Sequence, residues 1–89
     1  MRAIVTVTGK DKTGIIAGVS AALSEFGVNI LDISQTVLQD YFAMIMLVDL
    51  EGSKVPFGEL SDSISETAKS ICMDIRIMRE EIFDAMHRL

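Results

Sequence analysis

Eighty-nine residues, 49% of them hydrophobic, with a net charge of −5 and a pI of about 4.6, describe one small acidic domain with one core. The acidity argues against a nucleic-acid footprint. The longest unbroken apolar run, residues 42–48, is far short of the roughly 20 residues that span a bilayer, so no membrane role is expected.

A single cysteine excludes an internal disulfide and fits a reducing compartment. The N-terminus runs almost directly into a strand, with no signal-peptide layout, and the expected location is cytoplasmic. A domain of this size buries only about 60–65% of its unfolded surface. A mean hydropathy of +0.40 is high for so small a core, and the surplus apolar surface points to a partner, most simply a second copy.

In chain order, the β-branched run 3–8 predicts a strand. The loop Gly9-Lys10-Asp11-Lys12-Thr13-Gly14 follows, then Ile15, Ile16, Val19, Ala22, Leu23 and Phe26 recur at helical spacing. Thr13 is placed to cap this helix and Gly27 to end it in a left-handed conformation. Segments 28–39 and 41–52 leave no room for a helix between them and predict an antiparallel hairpin turning at Asp40. The second of these strands is apolar on both faces, with Phe42, Met44, Met46 and Val48 on one and Ala43, Ile45 and Leu47 on the other. Such a strand is expected to be covered on both faces.

Pro56 marks the first turn of a second helix with a buried stripe of Phe57, Leu60, Ile64, Ala68 and Ile71. The run 72–79 alternates, with Met73, Ile75 and Ile77 inward, and predicts a half-buried strand. The tail places Ile82, Phe83, Met86 and Leu89 on one face of a short helix, whose dipole Glu80, Glu81 and Arg88 complement. The order βαββαβ with right-handed crossovers predicts a ferredoxin-like α/β (α+β) sandwich: a four-stranded antiparallel sheet, strands one and three central, two helices on one face. The domain is expected to span 1–79, with a helical tail at 80–89.

The chemistry-bearing residues are few. Two glycines with four residues between them after a strand suggest a phosphate loop, but Ile15 and Ile16 stand where lysine and a hydroxyl are required. Cys72 and His87 have no metal-ligand spacing. Cys72 reads as a small packing residue and His87 as support for a helix end. Glu80 and Glu81 are adjacent on a helix and do not face each other as an acid–base pair would. No catalytic residue, metal or cofactor is expected.

What remains is Asp11-Lys12-Thr13-Gly14-Ile15, a helix, then Gly27-Val28-Asn29-Ile30. In a βαββαβ chain this combination resembles the ACT domain, whose pattern runs Asp, a basic residue, Pro or Thr, Gly and an aliphatic residue, and resumes after the helix with Gly-x-Asn-Ile. The resemblance covers about residues 2–79. It is similar to the small stand-alone ACT proteins and to the N-terminal units of formyltetrahydrofolate deformylases and glycine-cleavage repressors. Thr13 departs from the commoner proline.

The resemblance implies a regulatory module, not an enzyme, that binds an amino acid or similar small effector at Asp11, Lys12, Thr13, Gly14, Ile15, Asn29 and Ile30. Physical reading agrees with it: free N–H groups at a helix start favour a carboxylate, Gly14 permits close approach, Asp11 can face an ammonium, and Asn29 is expected at the same end of the sheet. The same residues also read as purely structural, with Asp11 capping the loop, Gly14 serving helix packing and Asn29 turning the chain. A different class of function is an interaction module that docks on an enzyme or regulator without a small ligand. The open second sheet face, the surplus apolar content and the apolar side of the tail helix predict a homodimer or higher even oligomer with the pocket at or near the subunit interface. The resemblance implies that copies join side by side or face to face, and the row Ala43, Ile45, Leu47 favours the face-to-face form.

Overall fold

Alternation decides the sheet. Ala3, Val5 and Val7 occupy every second position of a β-branched run. In the computed structural model, which describes residues 1–87, they lie fully buried on one face of strand β1, Arg2–Lys10. β1 pairs antiparallel with β3, Tyr41–Asp49, and on its other side with β4, Asp74–Arg79. β2, Asn29–Leu38, pairs with β3 and forms one edge, so the order is β2-β3-β1-β4. Helices α1, Ile15–Glu25, and α2, Phe57–Ile71, cover the face that carries Val5 and Val7, and α3, Glu80–Met86, follows β4. This is the expected ferredoxin-like sandwich with strands one and three central.

The core lies between the sheet and the two helices. Val19, Leu23, Leu60 and Ile64 from the helices meet Val5, Val7, Met46 and Val48 from the sheet, all essentially without solvent contact. Each such side chain contributes about 1.5–3 kcal/mol by burial. The other row of β3 is different: Ala43 and Ile45 are exposed and Leu47 half-buried. Within one chain the third strand is therefore covered on one face only, contrary to the expectation from its composition.

Three local readings are corrected. Thr13 does not cap α1: Gly14 is the N-cap, with φ 86°, and no side chain bonds to the helix start. The left-handed glycine delays the helix by one residue and leaves the Thr13 hydroxyl outside capping position. Gly14 also packs against nothing, since a Cβ built there would have no heavy atom within 4 Å; its glycine is required by the backbone angle alone. Cys72 is exposed, not packed. It ends α2 in a left-handed turn at φ 55°, and the next residue, Met73, takes the buried position.

Gly27 does adopt the expected left-handed cap, at φ 77°, and its missing Cβ would stand 2.5 Å from the carbonyl oxygen of Gly52. The hairpin turns at Gln39-Asp40, with a bulge between Ile30 and Asp32 on β2. α3 does not bury the apolar face expected of it. Phe83 is half-buried, Ile82 and Met86 are exposed, and Arg88 and Leu89 lie outside the described residues. His87 stacks on Phe83 at 4.2 Å, and its Nδ1 donates to the Phe83 carbonyl oxygen at 2.7 Å, the helix-end support foreseen for it.

Candidate functional site

The loop after β1 is tied to the hairpin by a hydrogen bond from the Asp11 N–H to the Asp40 carbonyl oxygen, 2.7 Å. Beyond it the chain climbs through Gly14 into α1, and a groove of about 350 Å³ opens between the helix start and β2. Asp11, Lys12 and Gly14 form one wall, the first turn Ile15-Ile16-Ala17 another, and Gln35, Val37 and Phe42 the floor. Sequence reasoning missed the floor. The one sequence signal is Val37, an apolar residue on an edge strand; Gln35 and the buried Phe42 of β3 join it only through the β2–β3 register.

The helix start that faces this groove is unsatisfied. The first helical bond runs from the Gly18 N–H to the Gly14 carbonyl, 2.9 Å, so the N–H groups of Ile15, Ile16 and Ala17 precede the ladder. No side chain caps them and no acidic residue stands in the first turn. This terminus thus keeps its partial positive charge for an external anion. Asp11 and Lys12 are exposed and form no ion pair among the described residues. Carboxylate acceptor, ammonium donor, free amides and an apolar floor together suit a small ligand of mixed charge.

The seven residues expected at the site do not all meet. Asp11, Lys12, Gly14 and Ile15 line the groove; Thr13 lies in the same loop but outside the lining. Asn29 does not lie at this end of the sheet. It pairs with Asp49, which pairs with Arg2, whereas the loop leaves β1 beyond Lys10, paired with Tyr41. Eight residues of strand, about 26 Å, separate the two ends. Ile30, opposite Val48 and so level with Ala3, is only one strand position nearer. The reason is the direction of the chain: α1 returns the backbone to the start of β1 before β2 begins.

Neither Cys72 nor His87 lines the groove. Glu80 and Glu81 are held by separate arginines, Arg2 at 2.7 Å and Arg79 at 3.9 Å. Among the described residues no cluster of three or more potential metal ligands occurs, and no helix is long and apolar enough to cross a membrane.

A family model for the ACT domain matches residues 2–78. A UPF0237 protein of Clostridium acetobutylicum is 53% identical over 89 residues, covering 100% of both chains. Among solved structures, an ACT domain protein from Streptococcus pneumoniae superimposes with a TM-score of 0.83 at 45% identity, covering 98% of each chain. A formyltetrahydrofolate deformylase from Pseudomonas syringae pv. tomato shares the fold alone: TM-score 0.79, 22% identity, 88% of this chain and 27% of that one. Family model, full-length relatives and structural likeness agree, and the chain belongs to the ACT domain family of small regulatory ligand-binding modules.

Proposed function

We propose that this chain is a cytoplasmic, non-catalytic sensor that binds an amino acid or similar small metabolite in the groove between the β1–α1 loop and β2. The observation that carries the reading is the uncapped start of α1, free of acidic residues, opening on an apolar-floored groove beside Asp11. A ligand carboxylate accepts from the amides of Ile15–Ala17, its ammonium pairs with Asp11, and its side chain rests on Val37 and Phe42. Lys12 reinforces the attraction for the carboxylate.

Asn29 and Ile30 join this site through a second copy. β2 is an edge strand exposed along its length except at the half-buried Ile30, with Leu31, Ile33, Val37 and Leu38 in contact with solvent. A two-fold axis normal to the sheet at this edge pairs β2 antiparallel with its copy. The start of one β2 then lies beside the end of the other, next to Asp40 and the Asp11 loop. The site so completed contains residues of both chains, with Asn29 and Ile30 of the second copy offering mainly backbone groups.

A thermal-shift screen of the amino acids tests this directly. A ligand at 100 times its Kd adds about 2.7 kcal/mol, a rise in Tm of about 10–20 °C for a domain of this size. No shift with any amino acid, together with co-purification of a partner protein, favours instead the interaction module, for which the apolar β2 edge is the supporting feature.

A further inference from the structure

The groove has a far end that the charged head of an amino acid does not fill. Phe42 pairs with Gly9 of β1 and with Val37 of β2, so these three form one row across the sheet, next to the loop. Val7, Met44 and Gln35 form the row two residues further along, about 7 Å away. Phe42 and Met44 are buried under the helices. Cross-strand partners share a face, so Val37 and Gln35 lie on the helix side as well. α1 runs back over the sheet from the loop. A molecule held at the helix start and lying along β2 therefore passes Val37 first and ends at Gln35.

We infer that the ligand is an amino acid with an uncharged carboxamide side chain, glutamine or asparagine, and that Gln35 is the residue that selects it. The inference rests on the reading of the groove as an amino-acid site. Of the nine residues lining it, only Asp11 and Lys12 are ionised, and the ammonium and carboxylate of the ligand engage both. No charge is left for the other end. A second carboxylate or ammonium there would lie against Val37 and Phe42 without a counter-ion. The Gln35 amide is the one remaining side-chain hydrogen-bonding group of the lining. It bonds to no other group among the described residues.

Reach and chemistry agree. The carboxylate carbon of glutamine stands about 5 Å from its carboxamide carbon in an extended chain, and a hydrogen bond adds about 3 Å. Together they cover the step from Val37 to Gln35. Two carboxamides pair reciprocally, each donating an N–H to the carbonyl oxygen of the other. An aliphatic side chain of similar length also covers Val37 and Phe42, but it takes the Gln35 amide out of water without a partner. A serine hydroxyl stops short of it. The setting of Gln35 on β2 points the same way. Ile33, Gln35 and Val37 all lie on the helix side and are all exposed, and the two that flank Gln35 are apolar. Gln35 is thus no member of a solvated polar row; it is a single amide placed where the groove ends.

Titration calorimetry of the full chain with glutamine, asparagine, glutamate, leucine and serine tests the inference. A carboxamide amino acid should bind about tenfold or more tighter than glutamate, leucine or serine, since two hydrogen bonds are at stake. Gln35→Leu, at an exposed position, should keep the circular dichroism of the fold, lose that preference and bind leucine at least as well as the wild type does. Gln35→Lys should turn the preference towards glutamate. Tighter binding of leucine, glutamate or serine by the wild-type chain overturns the inference while the amino-acid site stands. A Gln35→Leu or Gln35→Lys protein that keeps the wild-type order of affinities does the same. Silence with every amino acid overturns the site reading and this inference together.

Discussion

β1 and β2 are strands of nine and ten residues with similar apolar content, yet they have opposite fates. β1 buries Ala3, Val5 and Val7 completely; β2 leaves Leu31, Ile33, Val37 and Leu38 in contact with solvent. The difference is position in the sheet. β1 has a hydrogen-bonded neighbour on each side and two helices above it, whereas β2 has one neighbour and lies at the edge of the sheet. Composition records that a strand has an apolar surface to hide, but not whether its own chain hides it. In β1 that surface supplies stability; in β2 it stays exposed, where the proposed ligand and second copy would use it.

The largest expected effect comes from putting the same charge into each strand. Val5→Asp places an unpaired carboxylate among Met46, Ile77 and the helices, a cost above about 4 kcal/mol, enough to unfold a small domain. Circular dichroism should show no cooperative transition. Val37→Asp, on the exposed edge, should leave stability within about 0.5 kcal/mol while abolishing any thermal shift from an amino acid. Equal destabilisation by the two would erase the distinction between the strands.

A smaller contrast separates the two left-handed glycines. Gly27→Ala combines a positive φ with a Cβ 2.5 Å from the Gly52 carbonyl, so the strain of about 1–2 kcal/mol for the angle is joined by a backbone clash. Gly14→Ala meets open space and carries the angular cost alone. Denaturant midpoints should therefore fall further for Gly27→Ala. A larger fall for Gly14→Ala would mean that its surroundings are crowded in the assembled protein.

These contrasts also mark what the sequence discloses. The 3.6-residue spacing of Ile15, Val19 and Leu23 and the alternation of Met73, Ile75 and Ile77 are local, and they specify the elements and the side each one buries. The hairpin follows from the absence of any helical stretch between 28 and 52. Register and strand direction are not local. Asn29 is close to Asp11 in motif spacing yet stands at the other end of the sheet, because α1 carries the chain back along β1. Gln35, Val37 and Phe42 reach the groove only through the pairing of β2 with β3. The cap at Thr13 fails for a subtler reason: a left-handed Gly14 can be the N-cap itself, which residue preferences at the helix start do not reveal.

Asp11→Ala should separate binding from folding. Asp11 is exposed, and its backbone N–H, the group bonded to Asp40, persists in alanine. Stability should change by no more than about 0.5 kcal/mol. Removing a charge-assisted hydrogen bond to an ammonium costs about 1.5–3 kcal/mol, so the Kd read by calorimetry should rise about 10–100-fold. An unchanged Kd would place the ammonium elsewhere in the groove.

The subtlest test concerns the β2 edge. Ile33 donates its backbone N–H not to a strand but to the Asp32 Oδ1, at 2.9 Å. The carboxylate thus occupies a donor that an incoming strand would use, a common way of blunting a free edge. Pairing of β2 with its copy must first displace Asp32, whose carboxylate can rehydrate while the N–H passes to a carbonyl of the copy. One such exchange is worth about 1 kcal/mol. Asp32→Ala should accordingly tighten the edge-paired dimer by roughly five- to tenfold, with a parallel gain in ligand affinity if the copy's Asn29 and Ile30 complete the site. Asp32 also flanks a groove on the second face of the sheet, so the quantity to measure is the dissociation constant of the edge-paired dimer itself. A weaker dimer would show that Asp32 supports the edge contact, and the two-chain site would lose the geometry proposed for it.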